Sequence, residues 1–223
     1  MVIALCVSSV VLPLRGEDLF DGTSLKGWSG DPRLWRVEAG AIVGETDTNG
    51  RKIDANTFLI WEGGEVGDFE LTLKARVLGN NSGLQYRSVI RDPAKWSVKG
   101  YQMDMHPKQE YLGMLYEEGG RGISCLRGQK VKLVKDGKPA VTGKLEVPEV
   151  DLSKWNEYRV VAKGNVLQHY VNGVLAAEIV DEDPDKGALR GHIALQVHAG
   201  PAMKAEFKDL KLTRLDEKPA GGQ

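Results

Sequence analysis

The chain has 223 residues, with 30 Lys and Arg against 31 Asp and Glu and a formal net charge of −1. This balance gives no electrostatic reason to expect binding to nucleic acid or to an anionic membrane surface. The 27 glycines are scattered along the chain as turn residues, which favours many short strands over long helices.

Residues 1–14 are almost wholly apolar, and the apolar run stops at Arg15. The run is shorter than the roughly 20 residues of a membrane-spanning helix but typical of the apolar region of a secretory signal, with a buried strand as the alternative. We predict a signal peptide over residues 1–16, one domain over 17–215, a disordered tail over 216–223, and no transmembrane span in the mature chain. Cys125 would then be the only cysteine, and we expect it in the core.

Apolar and polar residues alternate with a period of two along much of the chain. This pattern predicts half-buried strands, and Asn172-Gly173 between two of them predicts a tight hairpin. The predicted strands cover residues 67–78, 84–90, 101–106, 155–163, 166–171, 174–180, 192–198 and 203–212, with an exposed hairpin or long loop over 130–148. Because no window shows a helical stripe, we predict a single all-β domain, an antiparallel β-sandwich of the jelly-roll kind.

Three predicted strands have polar faces that differ from an ordinary solvated face. These faces hold Gln85 and Arg87, then Gln102, Asp104 and His106, and finally His192, Gln196 and His198. Amide, carboxylate and imidazole groups suit the recognition of sugar hydroxyls and the transfer of protons. The alternation leaves open whether the three faces share one sheet.

Each polar feature also has an ordinary structural explanation. A lone histidine on a strand is more often solvated or structural, Asp104 and Arg87 suit a buried ion pair, and Glu117-Glu118 suits a solvated acidic turn. The sequence has no Gly-x-Ser-x-Gly motif, phosphate-binding glycine loop or cysteine-rich zinc pattern. The residues alone therefore indicate a β-sandwich whose polar concave face binds carbohydrate.

Eight short motifs follow one another in the order seen in one protein family. They are FDGTSLKGW at 20–28, WRVEAGAI at 35–42, DFEL at 68–71, NSGLQYR at 81–87, GYQMD at 100–104, WNEY at 155–158, VNG at 171–173 and LQVH at 195–198. Each motif is weak alone, but together they make the chain resemble the 3-keto-disaccharide hydrolase domain family. The chain departs from it at Gln102 and Asp104, where many members have Glu and Gln.

The resemblance implies a concanavalin A-like or LamG-like jelly roll, exported by bacteria to the periplasm or the medium, that hydrolyses 3-keto-glycosides. A carbonyl at C3 acidifies the proton on C2, so a base can remove that proton and expel the leaving group at C1, after which water adds back. Such a path needs a base, donors for the enolate oxygen and an acid for the leaving oxygen. It does not need the paired carboxylates of ordinary glycosidases.

Motifs and alternation together predict the site. Asp104, His106 and His198 are expected to include the catalytic base and acid, with a divalent cation held by them as an open alternative. The predicted substrate-binding residues are Asn81, Ser82, Arg87, Gln102, Tyr116, Glu117, Arg121 and Gln196. His192 lies outside the LQVH motif and is expected to be an ordinary strand residue.

Two non-catalytic functions compete with this prediction, because a fold does not determine function. One is a lectin-like carbohydrate-binding module, which exposed Trp61 or Trp96 side chains would favour by stacking on sugar rings. The other is an interaction domain of a larger exported assembly. The sequence determines neither the glycoside and its linkage nor the oligomeric state.

Overall fold

The computed structural model describes residues 16–46 and 53–215, so residues 1–15 of the predicted signal peptide and the predicted tail lie outside the described residues. This part of the chain forms β-strands and one short 3-10 helix, Pro93–Lys95. The strands are β1 Glu17–Asp18, β2 Trp28–Ser29, β3 Trp35–Glu38, β4 Ala41–Thr46, β5 Thr57–Trp61, β6 Phe69–Gly79, β7 Ser82–Asp92, β8 Ser97–Met105, β9 Leu115–Glu118, β10 Gly122–Cys125, β11 Gln129–Leu133, β12 Ala140–Lys144, β13 Asn156–Lys163, β14 Val166–Val171, β15 Val174–Asp181, β16 His192–Val197 and β17 Met203–Arg214. Among the described residues, no helix is long and apolar enough to cross a membrane.

The strands form two sheets that pack face to face, which confirms the predicted all-β sandwich. The larger sheet has the order β12-β11-β15-β14-β13-β6-β17-β4-β3, with β1 paired to β17, and the smaller has the order β10-β9-β8-β7-β16-β5-β2. All pairs are antiparallel except β11 with β15, which is parallel. The sandwich is therefore antiparallel with one parallel contact near the edge of the larger sheet.

The core lies between the sheets, where the predicted alternation places it. Phe69, Leu71, Leu73, Ala75 and Val77 of β6 are all buried, while the residues between them are half-buried or exposed. Burying one large apolar side chain contributes about 1.5–3 kcal/mol, so this single face contributes substantially to folding. Cys125 is buried and unpaired in the same core, as expected.

The predicted turns are also present. Asn172 and Gly173 have φ angles of 49° and 78°, the left-handed conformation that an Asn-Gly hairpin turn requires. The lysine-rich segment after residue 129 forms the hairpin of β11 and β12. Of the two predicted alternatives, a hairpin or a long loop, the structure therefore has the hairpin.

The hairpin of β7 and β8 folds back over the outer face of the smaller sheet. Its tip reaches β5, where the Trp96 carbonyl accepts a hydrogen bond from the Phe58 amide at 3.0 Å and the Lys95 carbonyl accepts one from Thr57 Oγ1 at 3.2 Å. Trp96 and Ile90 pack there on a second apolar cluster, which consists of Phe58, Ile60, Val98 and Ala194. One half of this outer face is thus covered by apolar packing, and its other half carries polar groups.

Candidate functional site

The polar half of the outer face forms a cleft of about 250 Å³. Strands β8, β9, β10 and β16 supply part of the lining, and the chain segments that follow β8 and β16 or precede β5 and β7 supply the rest. The cleft is lined by Asn56, Asn81, Gln102, Asp104, His106, Tyr111, Met114, Tyr116, Glu118, Ile123, Gln196 and His198. The sequence left open whether the three predicted polar faces share one sheet. The structure places all three strands in the smaller sheet, although Arg87 and His192 do not line the cleft.

Asp104 lies in this cleft near the end of β8 and is 2% exposed. Its Oδ1 accepts hydrogen bonds from Gln102 Nε2 at 2.9 Å and, more weakly, from Asn81 Nδ2 at 3.5 Å. Burial raises the pKa of this carboxyl to about 7, although the amide donors oppose the rise. Asp104 therefore exists in both protonation states near neutral pH, as a group that moves protons must.

Gln102 forms the floor beside Asp104 and is itself 1% exposed. Its Nε2 also donates to Gln196 Oε1 at 3.3 Å, and its Oε1 accepts from Gln85 Nε2 at 2.8 Å. Gly83, opposite Asp104 in the β7–β8 register, leaves the room for this side chain, since a Cβ there would lie 2.4–2.6 Å from Gln102 atoms. The glycine of the motif is thus required by close packing.

The two predicted catalytic imidazoles use their Nδ1 atoms differently. His106 Nδ1 accepts a hydrogen bond from the Lys108 amide at 3.0 Å, which places the ring proton on Nε2. His198 Nδ1 lies 2.5 Å from the Ala199 carbonyl and 3.1 Å from Asn80 Nδ2, which donates to the same carbonyl at 3.1 Å. The shorter contact favours the proton on Nδ1, which leaves a lone pair on Nε2 in the neutral ring. Burial, Lys108 and His198 together lower the pKa of His106, so His106 is neutral at pH 7.

Glu118 on β9 bridges the cleft to the far side. Its Oε2 accepts from Asn56 Nδ2 at 3.1 Å and from Gln196 Nε2 at 3.4 Å. Tyr116, two residues earlier on the same face of β9, is half-buried. Burial, with the neighbouring Glu118 and Asp104, raises the pKa of Tyr116, so its hydroxyl stays protonated and can donate.

Two predicted substrate-binding residues, Ser82 and Arg87, do not line the cleft. Ser82 is buried and donates to the Gln196 carbonyl at 2.7 Å, which ties β7 to β16. Arg87 has a φ of 46° at a β-bulge, and its fully buried side chain bonds Asp68, Gly67, Gly164 and Ala188. The bulge turns Arg87 out of the alternation, so its guanidinium lies away from the cleft and pairs with Asp68 rather than with Asp104.

Glu117 and Arg121 also lie outside the cleft. Glu117 is 5% exposed on the core side of β9, and it forms an ion pair with Arg121. Arg121 also bonds both Asp181 oxygens, at 3.1 and 2.6 Å. The structure therefore gives these two residues a structural setting and places Glu118, rather than Glu117, at the proposed site.

Five cleft residues were not predicted from the sequence, namely Asn56, Tyr111, Met114, Glu118 and Ile123. The period of two that starts at Tyr116 points to Glu118 on the same face, so this signal was present. Asn56 stands before β5 and carries no local signal. His192 lies at the other end of β16 from the cleft, opposite Ser88.

Within residues 16–46 and 53–215, no three His, Cys, Asp or Glu side chains are grouped as metal ligands. The cleft carries two carboxylates and two imidazoles, and its hydrogen bonds engage Asp104 and Glu118 with amides. A cation held by Asp104, His106 or His198 stays a prediction. The arrangement itself supplies a carboxylate that titrates near neutrality and several amide and hydroxyl donors. It also supplies two imidazoles, of which His106 offers Nε2–H and neutral His198 offers a lone pair on Nε2.

The sequence profile of the 3-keto-alpha-glucoside-1,2-lyase-like domain matches residues 16–213. No curated protein shows significant sequence similarity to the chain. Among solved structures, one similar chain is described as a "putative glycosyl hydrolase" from Parabacteroides distasonis ATCC 8503, with a TM-score of 0.57, 18% identity, and coverage of 89% of this chain and 93% of that chain.

Two further solved structures share the fold. The carbohydrate binding module CBM66 from Bacillus subtilis has a TM-score of 0.55 at 16% identity, covering 84% of this chain and 95% of that chain. A β-glucanase from Bacillus licheniformis has a TM-score of 0.54 at 10% identity, covering 88% and 96%. At these identities the likeness shows a common sandwich, which serves both carbohydrate-active enzymes and binding modules.

Proposed function

Because the chain belongs to the family of 3-keto-alpha-glucoside-1,2-lyase-like domains, we propose that it cleaves 3-keto-glycosides by removing the proton from C2 and expelling the leaving group at C1. The observation that carries this proposal is Asp104, a buried carboxylate whose pKa of about 7 suits a general base at neutral pH. Hydration of the resulting double bond then completes a net hydrolysis.

The base has the surroundings that proton abstraction from carbon requires. Gln102 holds Asp104 Oδ1 at 2.9 Å, and no Lys or Arg of residues 16–46 and 53–215 lines the cleft. A neighbouring cation would lower the pKa of the carboxylate and weaken it as a base. Near pH 7 about half of the protein molecules therefore have an ionised Asp104, and this carboxylate is more basic than an ordinary aspartate.

The enolate oxygen that forms at C3 needs hydrogen-bond donors. Tyr116 supplies a protonated hydroxyl, and His106 supplies Nε2–H, since its Nδ1 is already an acceptor. Neither group changes its protonation state in this role. The two donors are proposed to stabilise the charge that develops in the transition state.

The leaving oxygen at C1 needs a proton. With Nδ1 bound to the Ala199 carbonyl, protonated His198 has Nε2–H available as an acid. After donation, the same nitrogen holds a lone pair that can take a proton from water in the hydration step. One imidazole thus serves both halves of the proposed cycle.

The deciding experiment is cleavage of a panel of 3-keto-glycosides and their unoxidised parents in D₂O, followed by NMR. Elimination and hydration place deuterium at C2 of the released 3-keto-glucose when the proton held by Asp104 exchanges with solvent, with the product incubated alone as the control for spontaneous exchange. A substrate deuterated at C2 should show a primary kinetic isotope effect even if that proton returns to C2 unexchanged. Asp104→Asn should abolish release, whereas Asp185→Asn at a distant exposed ion pair should not. Release with neither deuterium at C2 nor an isotope effect on the C2-deuterated substrate would mean direct hydrolysis and would overturn the mechanism.

Neither of the two tryptophans that would favour the lectin-like alternative lines the cleft. Trp61 is 8% exposed in the core, and Trp96 packs on the apolar cluster beside the cleft. The same panel separates the two functions: binding of unoxidised glycans without release of any product would support a carbohydrate-binding module.

Export to the periplasm or the medium is part of the proposal and is supported by the apolar run over residues 1–14. Expression of the full chain in a bacterium, followed by cell fractionation and mass determination of the mature N-terminus, tests it. Recovery of the intact chain in the cytoplasm would count against export. Addition of EDTA in the activity assay tests the predicted divalent cation.

A further inference from the structure

A chain of buried side chains runs behind the cleft and ends at Asp104. Ser88 Oγ donates to Gln85 Oε1 at 2.6 Å, Gln85 Nε2 donates to Gln102 Oε1 at 2.8 Å, and Gln102 Nε2 donates to Asp104 at 2.9 Å. Ser88 and Gln85 are fully buried, and neither lines the cleft. The proposed chemistry uses only the last link of this chain.

The direction of the chain is determined by groups whose roles are unambiguous. An ionised Glu118 only accepts, so Gln196 turns its Nε2 toward it and offers Oε1 to Gln102. Gln102 then has two acceptors, Asp104 and Gln196, on its Nε2 side. Its Oε1 is left to face Gln85, so Gln85 must present Nε2.

The Gln102 amide has two orientations of nearly equal shape, and Asp104 favours a different one in each of its protonation states. Ionised Asp104 accepts and needs Nε2 of Gln102, whereas protonated Asp104 can donate and can pair with Oε1 instead. Turning Oε1 toward Asp104 would set Nε2 of Gln102 against Nε2 of Gln85, two donors with no acceptor between them. In a buried site such an unpaired contact is costly, so Gln85, whose Oε1 accepts from Ser88 Oγ at 2.6 Å, opposes the turn. Gln196 opposes it too, because its Oε1 would then face Gln102 Oε1.

We propose that Gln85 is a positioning residue that keeps the Gln102 amide turned with Nε2 toward Asp104. Gln85 does not line the cleft, and it acts only through Gln102, which does. This inference rests on the proposed function of Asp104 as the base, because the held orientation is the one that stabilises the ionised carboxylate. It also gives a reason for a buried amide at residue 85, where an apolar side chain would otherwise suit the outer face beside Ala194.

The test replaces Gln85 with methionine, which has a similar shape but neither donor nor acceptor. The matched control is Gln168→Met, on the larger sheet, where Gln168 bonds Glu178 and Tyr170. The first readout is the titration of Asp104 by NMR in protein labelled with ¹³C at aspartate carboxyl carbons, assigned with Asp104→Asn. We expect the Asp104 pKa to rise by about one pH unit in Gln85→Met and to stay unchanged in Gln168→Met.

The second readout is the pH dependence of kcat/KM on a 3-keto-glycoside. Its acid limb should move upward by the same amount in Gln85→Met, with about tenfold lower activity at pH 6 and recovery at alkaline pH. A merely structural role would lower activity at every pH and leave the limb in place. An unmoved Asp104 titration in a folded Gln85→Met protein would overturn the proposal.

The two readouts separate this inference from the proposed function. A shifted titration in a protein that turns over no 3-keto-glycoside would support the positioning role and refute the activity. An unshifted titration in an active enzyme would do the reverse. If Gln85→Met does not fold, Ser88→Ala removes only the first donor of the chain, and we expect a smaller shift of the Asp104 titration in the same direction; no shift there would equally overturn the proposal.

Discussion

Two groups of buried carboxylates in this protein differ in the partners that surround them. Asp181, Glu117 and Asp183 cluster around the guanidinium of Arg121, with side chains 2%, 6% and 1% exposed. Asp104 in the cleft is equally buried, but its side-chain partners are the amides of Gln102 and Asn81. The first group is neutralised in part by a cation, and the second is not.

The difference appears in the direction of the pKa shifts. Burial opposes ionisation of Asp181, yet hydrogen bonds from Arg121 and Tyr101 outweigh it and lower the pKa of Asp181. For Asp104, burial dominates and raises the pKa to about 7. The Arg121 cluster therefore stabilises the fold, and the cleft keeps a carboxylate that can exchange its proton.

The largest expected effect comes from removing the cation of the first group. Arg121→Met leaves three buried carboxylates without their guanidinium, and we expect a loss of about 3–5 kcal/mol in the free energy of unfolding, measured in urea at pH 7. Arg190→Gln, which breaks an exposed ion pair with Glu65, should cost under about 1 kcal/mol. Equal losses in the two variants would mean that the buried carboxylates gain no more stability from Arg121 than an exposed ion pair provides.

Asp104→Asn should change the free energy of unfolding in the opposite direction and stabilise the protein above neutral pH. The pKa of Asp104 is about 7 in the folded protein and about 4 in an unfolded chain, so the unfolded chain releases this proton first as pH rises, and stability falls between these values. Asparagine removes that penalty, and we expect a gain of about 2–4 kcal/mol at pH 8 and little change at pH 4. Urea unfolding at both pH values measures it, and a loss of stability at pH 8 would contradict it.

Neighbouring glutamates on β9 offer a sharper comparison within one strand. Glu117→Gln weakens the pair with Arg121, so we expect a loss of about 1–3 kcal/mol in stability with kcat retained. Glu118→Gln disturbs the acceptor of Asn56 and Gln196, so stability should change less while kcat/KM falls about tenfold. If instead Glu117→Gln lowered kcat/KM and Glu118→Gln lowered stability, the site would lie on the face of β9 opposite to the one proposed.

A matched pair of tyrosines should show the smallest effects. Tyr101→Phe removes the donor to Asp181 at 2.5 Å and should cost about 1–2 kcal/mol of stability. Tyr116→Phe removes a donor that faces the cleft, so it should leave the melting temperature within a degree or two and lower kcat. Thermal unfolding and steady-state kinetics on both variants measure the difference, and a kcat unchanged in Tyr116→Phe would remove Tyr116 from the oxyanion role.

Local patterns were sufficient to predict most of the fold. The alternation in β6 and the Asn172-Gly173 turn depend on neighbours in sequence, so they could be read directly. The bulge at Arg87 could not, because nothing in the local pattern marks a positive φ at an arginine. Since one extra residue reverses the two faces of a strand, alternation assigned Arg87 to the polar outer face, whereas the structure buries it outside the cleft.

The site depended on contacts between distant parts of the chain. Gln102 and Gln196 are 94 residues apart and meet through the order β8-β7-β16, and Asn56 meets Glu118 over 62 residues. Alternation predicts which residues share a face of their own strand, but not which strands become neighbours. This is why Asp104, His106 and His198 could be named together from motifs, while Asn56 could not.

The sequence by itself determined the eight predicted strands, the Asn172-Gly173 hairpin, the core face of regular strands such as β6 and the family resemblance, because these follow from periodicity, turn chemistry and motif order. Only the tertiary structure decided which carboxylates have a cation beside them. Arg121 reaches Asp181 across 60 residues and leaves Asp104 to amides. That choice sets the pKa of each carboxylate, since burial raises it and a nearby cation lowers it, and so separates a structural acid from a candidate for chemistry.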